Sequence, residues 1–110
     1  MGIRNFPVVT IADLEGKFVS PADATPAATT IPTMQSGVAP KFVHIAVQLG
    51  TPFDYVVITP SYGGNGDATL GLPLVTGNDG INLNVQGFSH IGYEAVGAGM
   101  RLYIYPLEDF

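Results

Sequence analysis

The sequence predicts an all-β fold: a small antiparallel β-sandwich or barrel with two related hairpins and an extended N-terminal arm. Three observations carry this. From Lys41 onward, runs rich in β-branched and aromatic residues are punctuated by Gly, Pro, Asn and Asp. No window of 11 or more residues repeats apolar positions at spacings of three and four, so no long helix is expected. Finally, "FVHIAV" from Phe42 and "FSHIGY" from Phe88 spell nearly the same strand twice, 46 positions apart.

Taken in order, residues 1–19 contain two short β-prone runs, 8–11 and 17–19, separated by the turn-like "ADLEG". They read as a short hairpin or an extended arm. Residues 20–40 hold Pro21, Pro26, Pro32 and Pro40 among small residues, which excludes a helix or a central strand and predicts an extended linker on a surface. The chain thus divides into an arm and linker, 1–40, and a β-domain, 41–110.

Five strands are expected in the β-domain: "KFVHIAVQL", "FDYVVIT", "INLNVQ", "FSHIGYEA" and "MRLYIY". In "INLNVQ", Ile81, Leu83 and Val85 alternate with Asn82, Asn84 and Gln86, the pattern of a half-buried antiparallel strand. "GNDG", residues 77–80, supplies a tight reversal before it. "SYGGNGDATLGLP", residues 61–73, reads as a long exposed loop; it has no lysine after its glycines and leads into no helix, so it is neither a phosphate loop nor a dinucleotide fingerprint.

Sliding the chain by 46 aligns Phe42 with Phe88, His44 with His90, Ile45 with Ile91, Ile58 with Ile104 and Pro60 with Pro106 without a gap. Each half spells strand, short turn, strand, proline, which we read as two related hairpins, each closed by a proline that stops ladder pairing. Coincidence among strand-forming residues is the alternative.

Composition narrows the function. Only 12% of residues are charged, against about 25% in an average domain, and the net charge of -5 sets nine carboxylates against Arg4, Lys17, Lys41 and Arg101. No basic stripe is available for phosphates, so nucleic acid is not an expected partner. No cysteine occurs, which excludes disulfides and thiol chemistry. No apolar run approaches a membrane span or a signal peptide, so no membrane association and a cytoplasmic origin are expected.

His44 and His90 are the only histidines and lack a third ligand at metal-site spacing. A packed or hydrogen-bonded role is expected for both. Asp67 and Asp79 are explained by turns, and no spacing selects an acid and base pair among the carboxylates. No catalytic residue, metal site or cofactor is therefore expected. Tyr62, at the entrance of the glycine-rich loop, is a candidate contact residue, with packing into the core as the equal alternative.

The run "LNVQGFSHIGYEAVGAGMRLYIYPLEDF" contains Ser89-His90-Ile91-Gly92-Tyr93 followed by Ile104-Tyr105-Pro106-Leu107-Glu108. Over about 30 residues it resembles the ending of small virion proteins of tailed bacteriophages, with Gly92 where alanine is more usual. The resemblance implies a capsid decoration or cement protein, a β-rich subunit, often trimeric, that binds the major capsid protein on the outer shell of a virion assembled in the host cytoplasm. Ile3, Phe6 and Val8 in the arm, with Phe110 at the C-terminus, are then candidate anchors for the shell or a neighbouring subunit. The alternative is a glycan-binding module using the 61–73 loop, Tyr62, Tyr93, Tyr103 and Tyr105, with Asn82, Asn84 and Gln86 as a polar platform.

Overall fold

The computed structural model describes residues 9–11, 17–34, 37–77 and 80–109. The fold is an all-β sandwich of two antiparallel sheets, as the sequence predicts, and no helix occurs among the described residues. The strands are β1 (Val9–Ile11), β2 (Lys17–Val19), β3 (Ala27–Thr30), β4 (Phe42–Leu49), β5 (Tyr55–Ser61), β6 (Leu72–Val75), β7 (Ile81–Asn84), β8 (His90–Val96) and β9 (Met100–Asp109). Sheet A runs β1-β9-β4-β7, with β2 also on β9; sheet B runs β3-β8-β5-β6.

Strict alternation builds the core. Val43, Ile45 and Val47 of β4 and Met100, Leu102 and Ile104 of β9 point inward from sheet A. They meet Val56 and Ile58 of β5, Ile91, Tyr93 and Ala95 of β8, and Leu74 of β6. Val85, just beyond β7, also joins this cluster. Burial of these side chains contributes roughly 1.5–3 kcal/mol each relative to exposure.

The two related units are not hairpins. β4 pairs with β9 over eight residues, from Phe42 opposite Leu107 to Leu49 opposite Met100, and β5 pairs with β8 from Tyr55 opposite Val96 to Ser61 opposite His90. Within each unit the two strands lie in opposite sheets, and every long ladder joins one unit to the other. Ile45 stands opposite Ile104, whereas the equivalent Ile91 stands opposite Pro60, two residues beyond Ile58. A slip of two keeps each side chain on its own face. The two copies are therefore related as interlocked arches, and the equivalent pairs Ile45 and Ile91, and Ile58 and Ile104, are all buried in the core.

The prolines do not end the ladders as expected. Pro106 keeps register with Val43, and on its other side β2 reaches only Ile104 while β1 starts at Leu107. Pro60 keeps register with Ile91, while β6 covers β5 only as far as Ile58. Each proline sits where its strand has a ladder partner on one side only, so its missing N–H costs no rung. Pro73 follows the same logic: the Thr76 N–H donates to the Asp54 carbonyl, which turns the main chain of residues 72 and 74 toward β5 and that of Pro73 toward the free edge.

The stretch expected to be an arm and linker contributes three strands. β1 and β2 extend sheet A along β9, and β3 forms an edge of sheet B against β8. Lys17 Nζ donates to the carbonyl and the hydroxyl of Thr30 at 2.9 and 2.7 Å, which clips the β2 edge of one sheet to the β3 edge of the other. Partial burial lowers the Lys17 pKa from its usual value. β6 was not among the expected strands; it lies in "LGLPLV", where the proline and short length conceal an edge strand.

The glycine-rich loop is not a free excursion. The Gly66 N–H donates to the Ala27 carbonyl and the Ala68 N–H to Glu94 Oε1, so residues 64–68 lie across the outer side of sheet B. Asp67 Oδ1 accepts from the Thr69 N–H and hydroxyl at 2.8 and 2.7 Å, and these bonds hold its carboxyl below the usual carboxylate range. The close approach requires glycine on both sides. A Cβ on Gly92 would lie 2.7 Å from the Gly64 carbonyl oxygen, and one on Gly66 would lie 2.3 Å from the Tyr93 nitrogen, whereas one on Gly64 would meet nothing within 4 Å. Gly92→Ala is therefore expected to lower unfolding free energy by about 1–3 kcal/mol in a urea titration and Gly66→Ala by at least as much, while Gly64→Ala changes it by less than about 0.5 kcal/mol.

Candidate interaction surfaces

Three connections meet at one end of the sandwich, the apex: residues 50–54 between β4 and β5, the connection between β6 and β7 with its described residues 76, 77 and 80, and 97–99 between β8 and β9. Each crosses from one sheet to the other. The first two are tied together by hydrogen bonds. Thr76 N–H donates to the Asp54 carbonyl, Gly77 N–H to the Val47 carbonyl, and the Thr76 hydroxyl to the Leu49 carbonyl. Asp54 Oδ2 accepts from the Thr51 N–H, and Asp23 Oδ1 accepts from the Gly97 N–H.

On this braced end two bulky residues hold left-handed backbone, Leu49 at φ 65° and Phe53 at φ 73°. Such conformations cost a side-chain-bearing residue about 1 kcal/mol or more. Burial does not offset the cost, since Phe53 is 87% exposed and Leu49 55%. Val75 and Val96 are exposed at the strand ends beside them. An open cavity of about 390 Å³ continues from Tyr55 and Val75 along Val57 and Pro73 toward Thr69 and Gly71. In sequence, "GTPFD", residues 50–54, reads as a reversal between strands, and the aromatic residue inside this Gly- and Pro-containing turn is the one signal of an exposed anchor.

A second surface is the outer face of sheet A. Phe18 of β2 lies opposite Tyr103 of β9, with ring centroids 5.7 Å apart. Tyr103 and Tyr105 follow along β9, their rings 6.4 Å apart and parallel to within 1°. Arg101 caps the row, its guanidinium 4.9 Å from the Phe18 ring centroid and its Nη1 3.4 Å from the Tyr103 hydroxyl. At the other end, His44 stands opposite both Tyr105 and Asn82, and its Nδ1 lies 2.8 Å from Asn82 Oδ1. That contact places the proton on Nδ1.

The structure separates residues that the sequence left together. Tyr93 is a core residue, whose burial raises its pKa, and is no part of any platform. Tyr62 is 77% exposed at the end opposite the apex, its ring 5.0 Å from Phe88. Asn82 and Asn84 are exposed on β7, and Gln86 lies in the turn that follows. Ile3, Phe6, Val8 and Phe110 lie outside the described residues.

His44 and His90 occupy different sheets; His90 Nδ1 lies 2.7 Å from Ser89 Oγ. Asp23, Asp54, Asp67 and Glu94 each accept a loop N–H, and no group of three or more His, Asp or Glu side chains suited to a metal ion occurs among the described residues. No helix is long and apolar enough to cross a membrane among them.

Comparison with known proteins returns no match: no family model, no curated protein and no solved structure.

The strain at the apex is measurable. Phe53→Gly removes the left-handed penalty and almost no packing, while glycine adds unfolded-state entropy, so unfolding free energy is expected to stay level or rise by up to about 1 kcal/mol. A loss of more than about 1 kcal/mol would show that Phe53 packs within its own chain.

Proposed function

We propose that this chain is a non-catalytic structural subunit of a bacteriophage virion, a decoration or cement protein that binds the major capsid protein on the outer surface of the shell. The observation that carries the reading is the apex. An almost fully exposed phenylalanine on strained but cross-braced backbone is a preformed anchor, and contact surfaces draw their energy from a few such aromatic residues. Holding the ring in place before contact removes the ordering cost that a mobile loop would add.

The surface chemistry supports a protein partner at this end. Leu49, Phe53, Val75 and Val96 are uncharged and aliphatic or aromatic, and Asp54 turns its carboxylate inward to the Thr51 N–H. A docked subunit would stabilise the assembled shell by mass action, because it binds the assembled state in preference to free capsid protein. Trimerisation around a local three-fold axis would multiply a weak apical contact through effective concentration. Ile3, Phe6, Val8, Tyr62 and Phe110 remain candidates for contacts between neighbouring copies or along the shell.

Shells of the cognate phage stripped of this subunit provide the test, with bound protein measured by co-sedimentation. Wild type should saturate the shells, and Phe53→Ser should bind at least about tenfold more weakly with an unchanged melting temperature. Equal binding by the two proteins, or no binding by wild type, would remove the decoration reading in this form.

A further inference from the structure

The outer face of sheet A has a composition unlike the apex. We infer that it is a carbohydrate-binding platform for a neutral glycan, built on Phe18, Tyr103 and Tyr105 and flanked by Asn82, His44 and Arg101. This inference does not rest on the virion reading, since it concerns a different face and a different class of ligand.

Three features select the ligand. First, the rings form a continuous row, Phe18 to Tyr103 to Tyr105, at 5.7 and 6.4 Å, with Phe18 53% exposed. Sugar rings carry apolar C–H faces that stack on aromatic rings, so a row of rings matches a row of sugars. The two tyrosine rings are parallel to within 1°, and both are half-buried.

Second, hydroxyl-binding groups border the row. The Asn82 side chain is exposed, and while its Oδ1 engages His44, its amide group remains a donor. The Tyr103 and Tyr105 hydroxyls can donate and accept, and Arg101 donates beside Tyr103. His44, by bonding Asn82 Oδ1, fixes which way that amide points, and so positions it.

Third, the face is nearly free of charge, which suits a neutral ligand. In a chain with nine carboxylates, the outward positions of β2, β4, β7 and β9 carry none among the described side chains, and Arg101 is their only formal charge. Of the large exposed aliphatic residues, Leu49, Val75 and Val96 are at the apex, Leu70 and Leu72 are in and after the loop on sheet B, and Val38 lies in the segment before β4. Protein interface centres are also rich in aromatic residues and arginine, so what selects a sugar is the border of amide, phenol and guanidinium groups around the rings. Aromatic faces with amide, imidazole and phenol neighbours, and without aliphatic anchors, suit a ligand that is itself apolar on its ring faces and hydroxylated at its rim.

The test uses the full chain on an array of neutral oligosaccharides and bacterial polysaccharides, followed by calorimetric titration of the strongest binder. Wild type should bind at least one neutral glycan. Tyr103→Ala and Tyr105→Ala should each weaken that binding by about tenfold or more, and Asn82→Ala by several-fold. Tyr105→Leu, which keeps apolar bulk but loses the aromatic face, should behave like Tyr105→Ala and covers the case of a poorly folded alanine variant. Leu70→Ser, on the sheet B side, should leave binding unchanged. The inference is overturned if wild type binds no glycan on the array, or if the tyrosine variants bind as well as wild type. It is equally overturned if those variants lose shell co-sedimentation instead, since the face would then be a protein contact and the decoration reading would stand without it.

Discussion

The pairing of β4 with β9, and of β5 with β8, is the constraint on which everything else in the fold depends. These are the central ladders of the two sheets, and each joins strands from different halves of the repeat. Neither half can complete a sheet alone. The core residues Ile45, Ile58, Ile91 and Ile104 come together only when both halves are present. Pairings this distant in sequence carry loop-closure entropy before any burial offsets it, so folding is expected to be slow for a chain of this size and stability rests on non-local contacts.

The apex follows from the same pairing. If β4 and β5 formed a hairpin, their connection would lie within one sheet and could be short and regular. Because they belong to opposite sheets, residues 50–54 must span the thickness of the sandwich, and so must 97–99 and the connection from β6 to β7 at the same end. Three arches crowd one small area. Glycines with positive φ at Gly50, Gly77, Gly80, Gly97 and Gly99 absorb most of the turning, and Leu49 and Phe53 absorb the rest at a cost. The aromatic ring left outside is a consequence of topology that a partner surface can exploit. Sheet B is partly covered on its outer side by the 61–71 loop seated on Gly92.

Much of this was legible in the sequence, and the limits have physical causes. Period-two alternation in "FVHIAVQL" and "MRLYIY" identifies the strands and the residues that share a face, because the pleat puts alternate side chains on opposite faces, but leaves open which of the two faces is buried. The structure resolves this by burying Ile45, Leu102 and Ile104, and it puts Tyr93 in the core with Ile91 while Tyr103 and Tyr105 fall on the opposite face from Leu102 and Ile104. Alternation says which face a residue occupies and nothing about which strand lies alongside, so hairpins and interlocked arches read alike. "GTPFD" fits either connection. β6 was hidden because Pro73 looks like a strand breaker until its main chain is known to face a free edge. The seat of the glycine-rich loop was hidden because a glycine inside a strand has no pattern of its own until a second backbone is found against it.

Cross-strand Hα–Hα contacts in a nuclear Overhauser spectrum of the full chain would test the interlocked pairing most directly. Facing antiparallel residues bring these protons close, so the pairing predicts contacts between β4 and β9 and between β5 and β8, along the registers that place Ile45 opposite Ile104 and Ile58 opposite Tyr93. It predicts none between β4 and β5 or between β8 and β9. Contacts within those two pairs would show simple hairpins, and with them both the bridging apex and the present arrangement of the outer faces would fall.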